Sequence, residues 1–349
     1  MKFAEQSWAG VVVLATNKPF QSQLPEAAGY DLIGDIHGCA HTLKRLLFQM
    51  DYRKSNGVWR HPERKVIFLG DIVDRGPRIR ESLELVYSMV QAGEAVCIMG
   101  NHEHNALTYC TPAPEGFADD YLRSHNPRHT RLIKETLEQF ETAQDEWAIY
   151  LDWFKTLPLY LETDQFRVVH ATWNDRFIRT LQEHYQTDTL TDELLIESVQ
   201  PESFGFRLME HLTRGSHIRL PDGVQIYGGD GFSRRTFRTH FWAEDPATYG
   251  DVIFQPDNLP GCLEDQPLTA LEKEQLLYYS RHDRPLFIGH YWCEGVPALV
   301  TPNIACLDYS AVKYGKLACY RFSGETQLDA SNFVWISVDR DWTSNDTSV

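Results

Sequence analysis

Five short apolar segments of this 349-residue chain each end in side chains that can bind a metal ion or exchange a proton. The segments cover 30–38, 65–76, 95–103, 166–170 and 285–290, and the polar residues at their ends are Asp35, His37, Asp71, Asp74, Asn101, His102, His170 and His290. Carboxylate and amide oxygens combined with imidazole nitrogens form ligand sets for Mn²⁺, Fe or Zn²⁺. In open α/β sheets, ligands gather in the crevice beyond the carboxyl ends of the strands. The sequence therefore predicts a metal site.

Two divalent ions held about 3.5–4 Å apart need a carboxylate that bridges them. We expect Asp71 to be that bridge, because its strand should lie between the two strands that carry Asp35 and Asn101. Asp35 and His37 stand one residue apart and can turn together onto the first ion. The second ion would be bound by an amide oxygen and two imidazoles, from Asn101, His170 and His290.

Each of these features has a purely structural alternative. Asp35 could cap a helix, with His37 as a histidine whose hydrogen bonds are made within the protein. Asp71 could simply stabilise a turn. For His170 and His290, the alternative is a buried ring bonded to a backbone carbonyl. Together, these alternatives require five unrelated strand ends to carry metal-capable residues by chance, which favours the metal site.

The same segments indicate the elements that would hold the site. A strand buried on both faces is a continuous hydrophobic run, so we expect the five segments to be interior strands of one sheet. Helical spacing of apolar residues over 43–48 and 81–90 separates the first three strands, which predicts parallel pairing with right-handed crossovers. Residues 103–165 are predicted to be largely helical, with a hairpin of 159–162 and 166–169 at the end of this segment. The last strands are predicted at 286–289, 304–308, 317–321 and 333–338.

Composition limits the classes of function. The net charge of −16 argues against extensive nucleic-acid binding, which needs clustered Lys and Arg. The apolar run at 9–15 follows an acidic residue and is short, so it is expected to be a strand or an arm rather than a signal peptide. No segment has the ~20 apolar residues of a membrane helix. The seven cysteines form no C-x-x-C pair, which indicates neither a zinc knuckle nor a disulfide framework and favours a reducing, cytoplasmic compartment.

Three local motifs carry a family resemblance. D-x-H-G stands at 35–38, G-D-x-x-D-R-G at 70–76 and G-N-H-E at 100–103, and isolated histidines follow at strand ends. This order resembles the calcineurin-like metallophosphoesterases of the phosphoprotein phosphatase superfamily, whose bacterial members include protein phosphatases and symmetrical diadenosine tetraphosphatases. Residues 61–64 and 89–93 also resemble the phosphatase module of bacterial polynucleotide kinase-phosphatases. No G-x-x-x-x-G-K-[S/T] loop supports a fused kinase.

The resemblance implies a four-layer α/β/β/α sandwich with a dinuclear metal site. We expect one domain over 30–340, an N-terminal arm over 1–29, and an inserted cap over 175–280. The cofactors would be two divalent ions, Mn²⁺ foremost, with Fe or Zn²⁺ as alternatives. Such ions lower the pKa of a shared water, so that hydroxide attacks phosphorus in line. His102 would act as the general acid, Asp74 would hold its ring, and Arg75 would bind phosphate oxygens.

Six arginines, among them Arg207 and Arg238, lie in the segment 204–238 with three acidic residues. The family supplies a second phosphate-binding arginine from this part of the chain, and either Arg238 or Arg207 could fill that role. The interleaved aromatic residues Tyr227, Phe237, Phe241 and Trp242 could stack on a base or pack the core of the cap.

The expected activity is metal-dependent hydrolysis of phosphate monoesters, as in serine/threonine protein phosphatases. The alternatives are a symmetrical dinucleoside polyphosphate hydrolase and a phosphodiesterase acting on nucleotides or nucleic-acid ends. The partner would accordingly be a phosphoprotein, a nucleotide or a dinucleotide. A catalytically silent scaffold is a rival, but its usual mark is the loss of a ligand or of the acid, and none is missing here.

Overall fold

The computed structural model describes residues 24–227, 233–254, 259 and 261–339. Most of the predicted N-terminal arm, residues 1–23, therefore lies outside the described residues. The strands, in chain order, are β1 (Gly29–Ile33), β2 (Arg53–Ser55), β3 (Val58–Arg60), β4 (Arg64–Phe68), β5 (Ala95–Cys97), β6 (Tyr160–Glu162), β7 (Arg167–Val169), β8 (Ser216–Arg219), β9 (Ile226–Tyr227), β10 (Ser233–Arg234), β11 (Thr236–Thr239), β12 (Leu286–Ile288), β13 (Leu299–Thr301), β14 (Ile304–Cys306), β15 (Asp308–Tyr309), β16 (Lys316–Phe322) and β17 (Phe333–Ser337).

The helices include those predicted from apolar spacing. In chain order they are α1 (Ala40–Gln49), α2 (Ile79–Gln91), α3 (Asn101–Cys110), α4 (Pro127–Gln139), α5 (Gln144–Lys155), α6 (Asp175–Thr180), α7 (Asp192–Glu197), α8 (Phe204–Arg214), α9 (Gly261–Glu264) and α10 (Ala270–Gln275). Local sequence sets the start of α4, where the Asn126 side chain accepts a hydrogen bond from the His129 backbone at 2.9 Å and Pro127 occupies the first turn.

The first sheet has the order β15-β16-β1-β4-β5, with β17 paired to β16. β4 pairs in parallel with β1 on one side and β5 on the other, as the strand–helix alternation predicts. The C-terminal strand β16 joins β1 in antiparallel orientation. The strand that precedes Asp71 therefore lies between the other two motif-bearing strands.

The second sheet has the order β13-β14-β12-β7-β6, and it contains the predicted hairpin β6–β7. The expectation that all five apolar segments lie in one sheet is therefore wrong. Three of the segments, β1, β4 and β5, belong to the first sheet, whereas the strands preceding His170 and His290 belong to the second. In addition, β5 is an edge strand and not an interior one. A hydrophobic run indicates that both faces of a strand are buried. A face can be buried by a second sheet or by a layer of helices, so the run does not show to which sheet the strand belongs.

Aromatic side chains fill the space between the two sheets. The rings of Phe166 and Phe322 lie 4.9 Å apart, and those of Phe166 and Phe287 lie 5.9 Å apart, both close to edge-to-face. Leu32 of β1 and Val168 of β7 are completely buried in the same cluster. Helices such as α1 and α2 cover the opposite face of the first sheet. The layers are those of the predicted four-layer α/β/β/α sandwich.

The region 175–280 contains α6 to α10 and two small antiparallel pairs, β8–β11 and β9–β10. Phe237 is completely buried in a separate hydrophobic cluster that includes Ile218 and Tyr249, so it packs this region's own core. Phe241 is also buried, whereas Tyr227 is exposed. The start of the region, through Leu194 and Leu208, belongs to the main core instead. The bounds of the single domain and of the cap remain predictions.

Candidate metal centre

The turns that follow the motif-bearing strands hold residues in an unusual backbone conformation. Positive φ is uncommon for residues other than glycine, and such strain gathers at functional sites. Five of the predicted site residues have it: His37 (42°), Asp71 (50°), Asp74 (67°), Arg75 (67°) and His290 (58°). The sharp turn after each strand redirects these side chains into one crevice between the two sheets.

The Asp71 carboxylate lies at the centre of that crevice. Its Oδ2 atom is 3.4 Å from His170 Nε2, 3.6 Å from His37 Nε2 and 4.0 Å from His102 Nε2. Although burial opposes it, the charge of the neighbouring histidines, His170 foremost, holds the pKa of Asp71 well below its usual value. The predicted bridging residue is thus surrounded by ring nitrogens on several sides.

Backbone carbonyls orient two of these rings. The Nδ1 atom of His37 donates to the Val73 carbonyl at 2.8 Å, and that of His170 donates to the Leu69 carbonyl at 2.6 Å. A ring nitrogen that faces a carbonyl must carry a proton, so when either ring is neutral it is Nε2 that has a lone pair for a metal ion. Both Nε2 atoms face Asp71.

Two clusters of potential ligand atoms share Asp71, and one of them includes His102, the predicted general acid. His37, Asp71 and His102 form one group of potential ligand atoms within 4.8 Å of one another, and Asp71, His170 and His290 form the other. Asn101 joins the second cluster, because its Oδ1 atom lies 3.3 Å from His170 Nε2.

Asp35 lies beside His290, whose backbone N–H is 3.3 Å from each carboxylate oxygen. Gly289 makes this close approach possible, since a Cβ atom there would lie 2.3 Å from Asp35 Oδ1. Burial and the nearby Asp308 carboxylate raise the pKa of Asp35 well above its usual value. A divalent cation would relieve that repulsion.

This donor set fits a pair of divalent ions. The Nε2 atom of His290 is buried and has no hydrogen-bond partner among the described residues. A buried polar atom without a partner is costly and calls for an explanation such as an ion. Carboxylates, an amide oxygen and imidazoles converge on the same space, which is the ligand chemistry that Mn²⁺, Fe and Zn²⁺ accept.

His102 has a second contact, with Asp74. Its Nδ1 atom lies 2.5 Å from Asp74 Oδ2, and both residues are buried. Thr136 of α4 holds the carboxylate in place: its hydroxyl donates to Asp74 Oδ1 at 2.6 Å and accepts from the Asp74 backbone N–H at 3.0 Å. Burial raises the pKa of Asp74 to about 7, against the lowering effect of the Thr136 hydrogen bond. Thr136 was not predictable from the sequence, because no local motif surrounds it.

Glu103 supports the turn that carries Asp71. Its carboxylate accepts hydrogen bonds from the backbone N–H groups of Asp71 and Ile72, both at 2.8 Å, and from that of Gly100 at 3.1 Å. Glu103 therefore caps the start of α3 at Gly100 and also holds the turn that follows β4.

Three arginines border the crevice. Arg75 Nη1 lies 3.0 Å from His37 Nε2. Arg238 Nη1 lies 3.5 Å from the His290 carbonyl, and Arg214, at the end of α8, donates to Asn105 Oδ1 at 2.5 Å. Burial lowers the pKa of His290 well below its usual value, and the charges of Arg238 and Arg214 act in the same direction.

The structure thus places Arg238 beside the site, as one of the two sequence-based options, and adds Arg214. Arg207, the other option, has an exposed side chain. Arg214 was visible as one of six arginines in its segment, but its reach depends on how α8 packs against α3. No sequence motif reports that packing.

The sequence profile described as Calcineurin-like phosphoesterase matches residues 30–236. The chain belongs to this family of metallophosphoesterases, which are hydrolases that use divalent metal ions. The resemblance inferred from the three motifs is therefore confirmed, as is the fold expected from it.

Individual relatives carry more specific names. The chain is similar to bis(5'-nucleosyl)-tetraphosphatase PrpE [asymmetrical] of Oceanobacillus iheyensis, with 32% identity over 74% of this chain and 94% of the relative. For the protein of the same name from Halalkalibacterium halodurans, the identity is 37% over 72% of this chain and 92% of the relative. A protein serine/threonine phosphatase from Saccharomyces cerevisiae superimposes with a TM-score of 0.49 and 13% identity, covering 90% of this chain and 80% of that one.

Proposed function

We propose that this chain hydrolyses dinucleoside polyphosphates, and that it does so asymmetrically, releasing a nucleoside monophosphate and the remaining nucleotide. The two relatives above support this choice, because their name describes that activity and the match spans nearly their whole length. The proposal narrows the dinucleotide alternative raised from the sequence and replaces its symmetrical form. Phosphate monoesters, the substrates expected first from the sequence, become the second choice.

The single observation that carries the proposal is the group of arginines at the rim of the crevice. A single phosphate group needs few guanidinium partners, whereas a polyphosphate chain bears negative charge along its length. Arg75 borders the centre from the turn after β4, Arg214 from α8 and Arg238 from β11. The guanidinium fork suits the oxygens of phosphate groups.

The chain's own residues would act as follows. Asp35, His37, Asp71, Asn101, His170 and His290 would hold two divalent ions, with Mn²⁺ our first choice of metal. When bound, such ions polarise phosphate oxygens and activate water. Arg75 would orient the phosphate under attack. His102 would give the proton at its Nε2 atom to the leaving oxygen, while Asp74 would hold Nδ1 and the orientation of the ring.

The setting of the reaction is part of the same proposal. Six cysteines with described side chains are free thiols, which is consistent with a reducing compartment such as the cytoplasm. Among the residues that the structure describes, no helix is both long enough and apolar enough to cross a membrane. We expect no extensive nucleic-acid binding.

The experiment is product analysis with diadenosine tetraphosphate. Chelator-stripped protein is reloaded with Mn²⁺ and incubated with the dinucleotide, and the products are separated by anion exchange. ATP with AMP is the expected pair, whereas two molecules of ADP would mean symmetrical cleavage. Hydrolysis of p-nitrophenyl phosphate without any cleavage of the dinucleotide would refute the proposal and restore the monoesterase. Asp71→Asn protein, purified in parallel, controls for contaminating phosphatases.

A further inference from the structure

One half-buried arginine near the metal centre lacks the partner that other arginines have. Arg64 meets the Asp31 carboxylate at 2.9 Å, and Arg167 meets Glu162 at the same distance. The Arg123 side chain makes no hydrogen bond or ion pair with any residue in the described ranges; only its backbone N–H is bonded, to the Thr108 carbonyl at 2.9 Å. A charge that is partly withdrawn from water is stabilised by a counter-charge, so a half-buried guanidinium without a protein partner can receive an anion.

The charges around Arg123 make the absence of a partner more costly. Burial, together with the like charges of Arg214 and Arg128, lowers the pKa of the Arg123 guanidinium to about 10. The two carboxylates whose charges act on Arg123 are already engaged, because Glu210 accepts from Arg214 at 3.0 Å and Asp74 binds His102. At neutral pH the group remains a cation beside other cations, an arrangement that a bound polyanion would stabilise.

Helix α3 relates this cluster to the reaction centre. The helix begins at Asn101, a predicted metal ligand, and holds Arg214 one turn later through Asn105. Thr108, nearly another turn further, holds the backbone of Arg123. With a rise of 1.5 Å per residue, the two anchor points lie roughly 6 and 10 Å from Asn101 along the helix axis. The anchor points of the two arginines thus follow one another along α3, away from Asn101.

We propose that Arg123, together with Arg214, forms a second phosphate subsite that binds the part of a polyphosphate chain next to the phosphate under attack. This inference rests on the proposed function and specifies its substrate: a chain of several linked phosphates, rather than a single phosphate ester. A monoester would occupy the position at Arg75 and leave Arg123 without an anion. The subsite would also fix which end of an asymmetric cut remains bound as the longer polyphosphate.

The test compares the binding of two inorganic anions to the Mn²⁺-loaded protein. Tripolyphosphate and orthophosphate are titrated by calorimetry into wild type, Arg123→Gln and Arg123→Lys, with each anion solution equilibrated against the same free Mn²⁺. We expect Arg123→Gln to weaken tripolyphosphate binding about tenfold or more, the loss typical of a charge-assisted hydrogen bond. Orthophosphate binding should not change, and Arg123→Lys should keep part of the affinity for tripolyphosphate.

Arg131, which is exposed on α4, provides the matched control. Arg131→Gln removes the same charge from an exposed position and should leave both affinities unchanged. Equal weakening of both anions by Arg123→Gln would overturn the subsite, because the residue would then support the metal centre as a whole. Unchanged tripolyphosphate binding would overturn it as well.

The outcome is separable from that of the proposed function. Suppose that the wild type does not cleave diadenosine tetraphosphate, but that Arg123→Gln selectively weakens the binding of tripolyphosphate. The proposed substrate is then wrong and the subsite stands. If the dinucleotide is cleaved and Arg123→Gln behaves as Arg131→Gln, the subsite is wrong and the proposed function stands.

Discussion

Replacing Thr136 by valine tests whether Asp74 positions His102. The change keeps the shape of the side chain and removes the hydroxyl that donates to Asp74 Oδ1 at 2.6 Å and accepts from the Asp74 N–H at 3.0 Å. A hydrogen bond to a charged group contributes about 1.5–3 kcal/mol, and a buried N–H left without an acceptor costs about 1–3 kcal/mol. We therefore expect Thr136→Val to lower the free energy of unfolding by roughly 2.5–6 kcal/mol.

The effect on catalysis should be more specific than this loss of stability. Without the Thr136 hydroxyl, the Asp74 carboxylate holds the His102 ring less precisely. Loss of such a supporting contact typically lowers activity about 10–100-fold. Because the Thr136 hydrogen bond lowers the pKa of Asp74, its loss should raise that pKa. The carboxylate would then be protonated at higher pH, so the acidic limb of the profile of kcat against pH should move to higher pH.

The assay measures kcat against pH for phenyl phosphate and p-nitrophenyl phosphate. Phenolate is the poorer leaving group and depends more on an acid, so phenyl phosphate should lose more activity. Thr108→Val is the control, since this buried threonine lies on α3 but its hydroxyl donates only to helix carbonyls at 2.9 and 3.2 Å. Equal loss on both substrates, with an unshifted acidic limb, would refute the assignment of Asp74 and His102.

Three further changes probe the metal centre and the pH response. Asp71→Asn should abolish turnover and lower the metal content measured by mass spectrometry, because a neutral amide is a poor bridge between two cations; full metal content would contradict the bridging role. Gly289→Ala should also lower the metal content, since its Cβ would lie 2.3 Å from Asp35 Oδ1, whereas Gly261→Ala, with nothing within 4 Å, should not. Burial lowers the pKa of His240 to about 4. Below a pH of about 6.5 the unfolded chain binds a proton there that the folded chain does not, so stability falls as the pH drops towards 4, by at most about 3 kcal/mol for this partly exposed ring. In His240→Gln the free energy of unfolding, measured with urea, should change less with pH over this range. An unchanged slope of this free energy against pH would show that His240 does not contribute to the pH dependence.

Much of the fold was predictable because its signals are local. The apolar runs and the helical spacing between them predicted the parallel strands β1, β4 and β5 and the helices that connect them. The hairpin β6–β7 was predictable for the same reason. The division of the strands between two sheets was not, because an apolar run records burial without recording what covers the strand.

The types of the candidate site residues were also readable from the sequence. Each metal-capable residue follows a strand within a few positions, so its place at a strand end is a property of the local chain. Their convergence depended on the two sheets facing each other. His170 donates to the Leu69 carbonyl from 101 positions away, which no local pattern encodes.

The sequence by itself determined the class of chemistry, because the motif residues carry the ligand atoms and the tight turns within a few positions of one another. Only the tertiary structure decided which groups surround that chemistry. Thr136 reaches Asp74 across 62 positions, and Arg214 reaches Asn105 across 109. Such contacts arise when separate helices pack on one core, and packing depends on the shape of the whole chain rather than on any one segment of it.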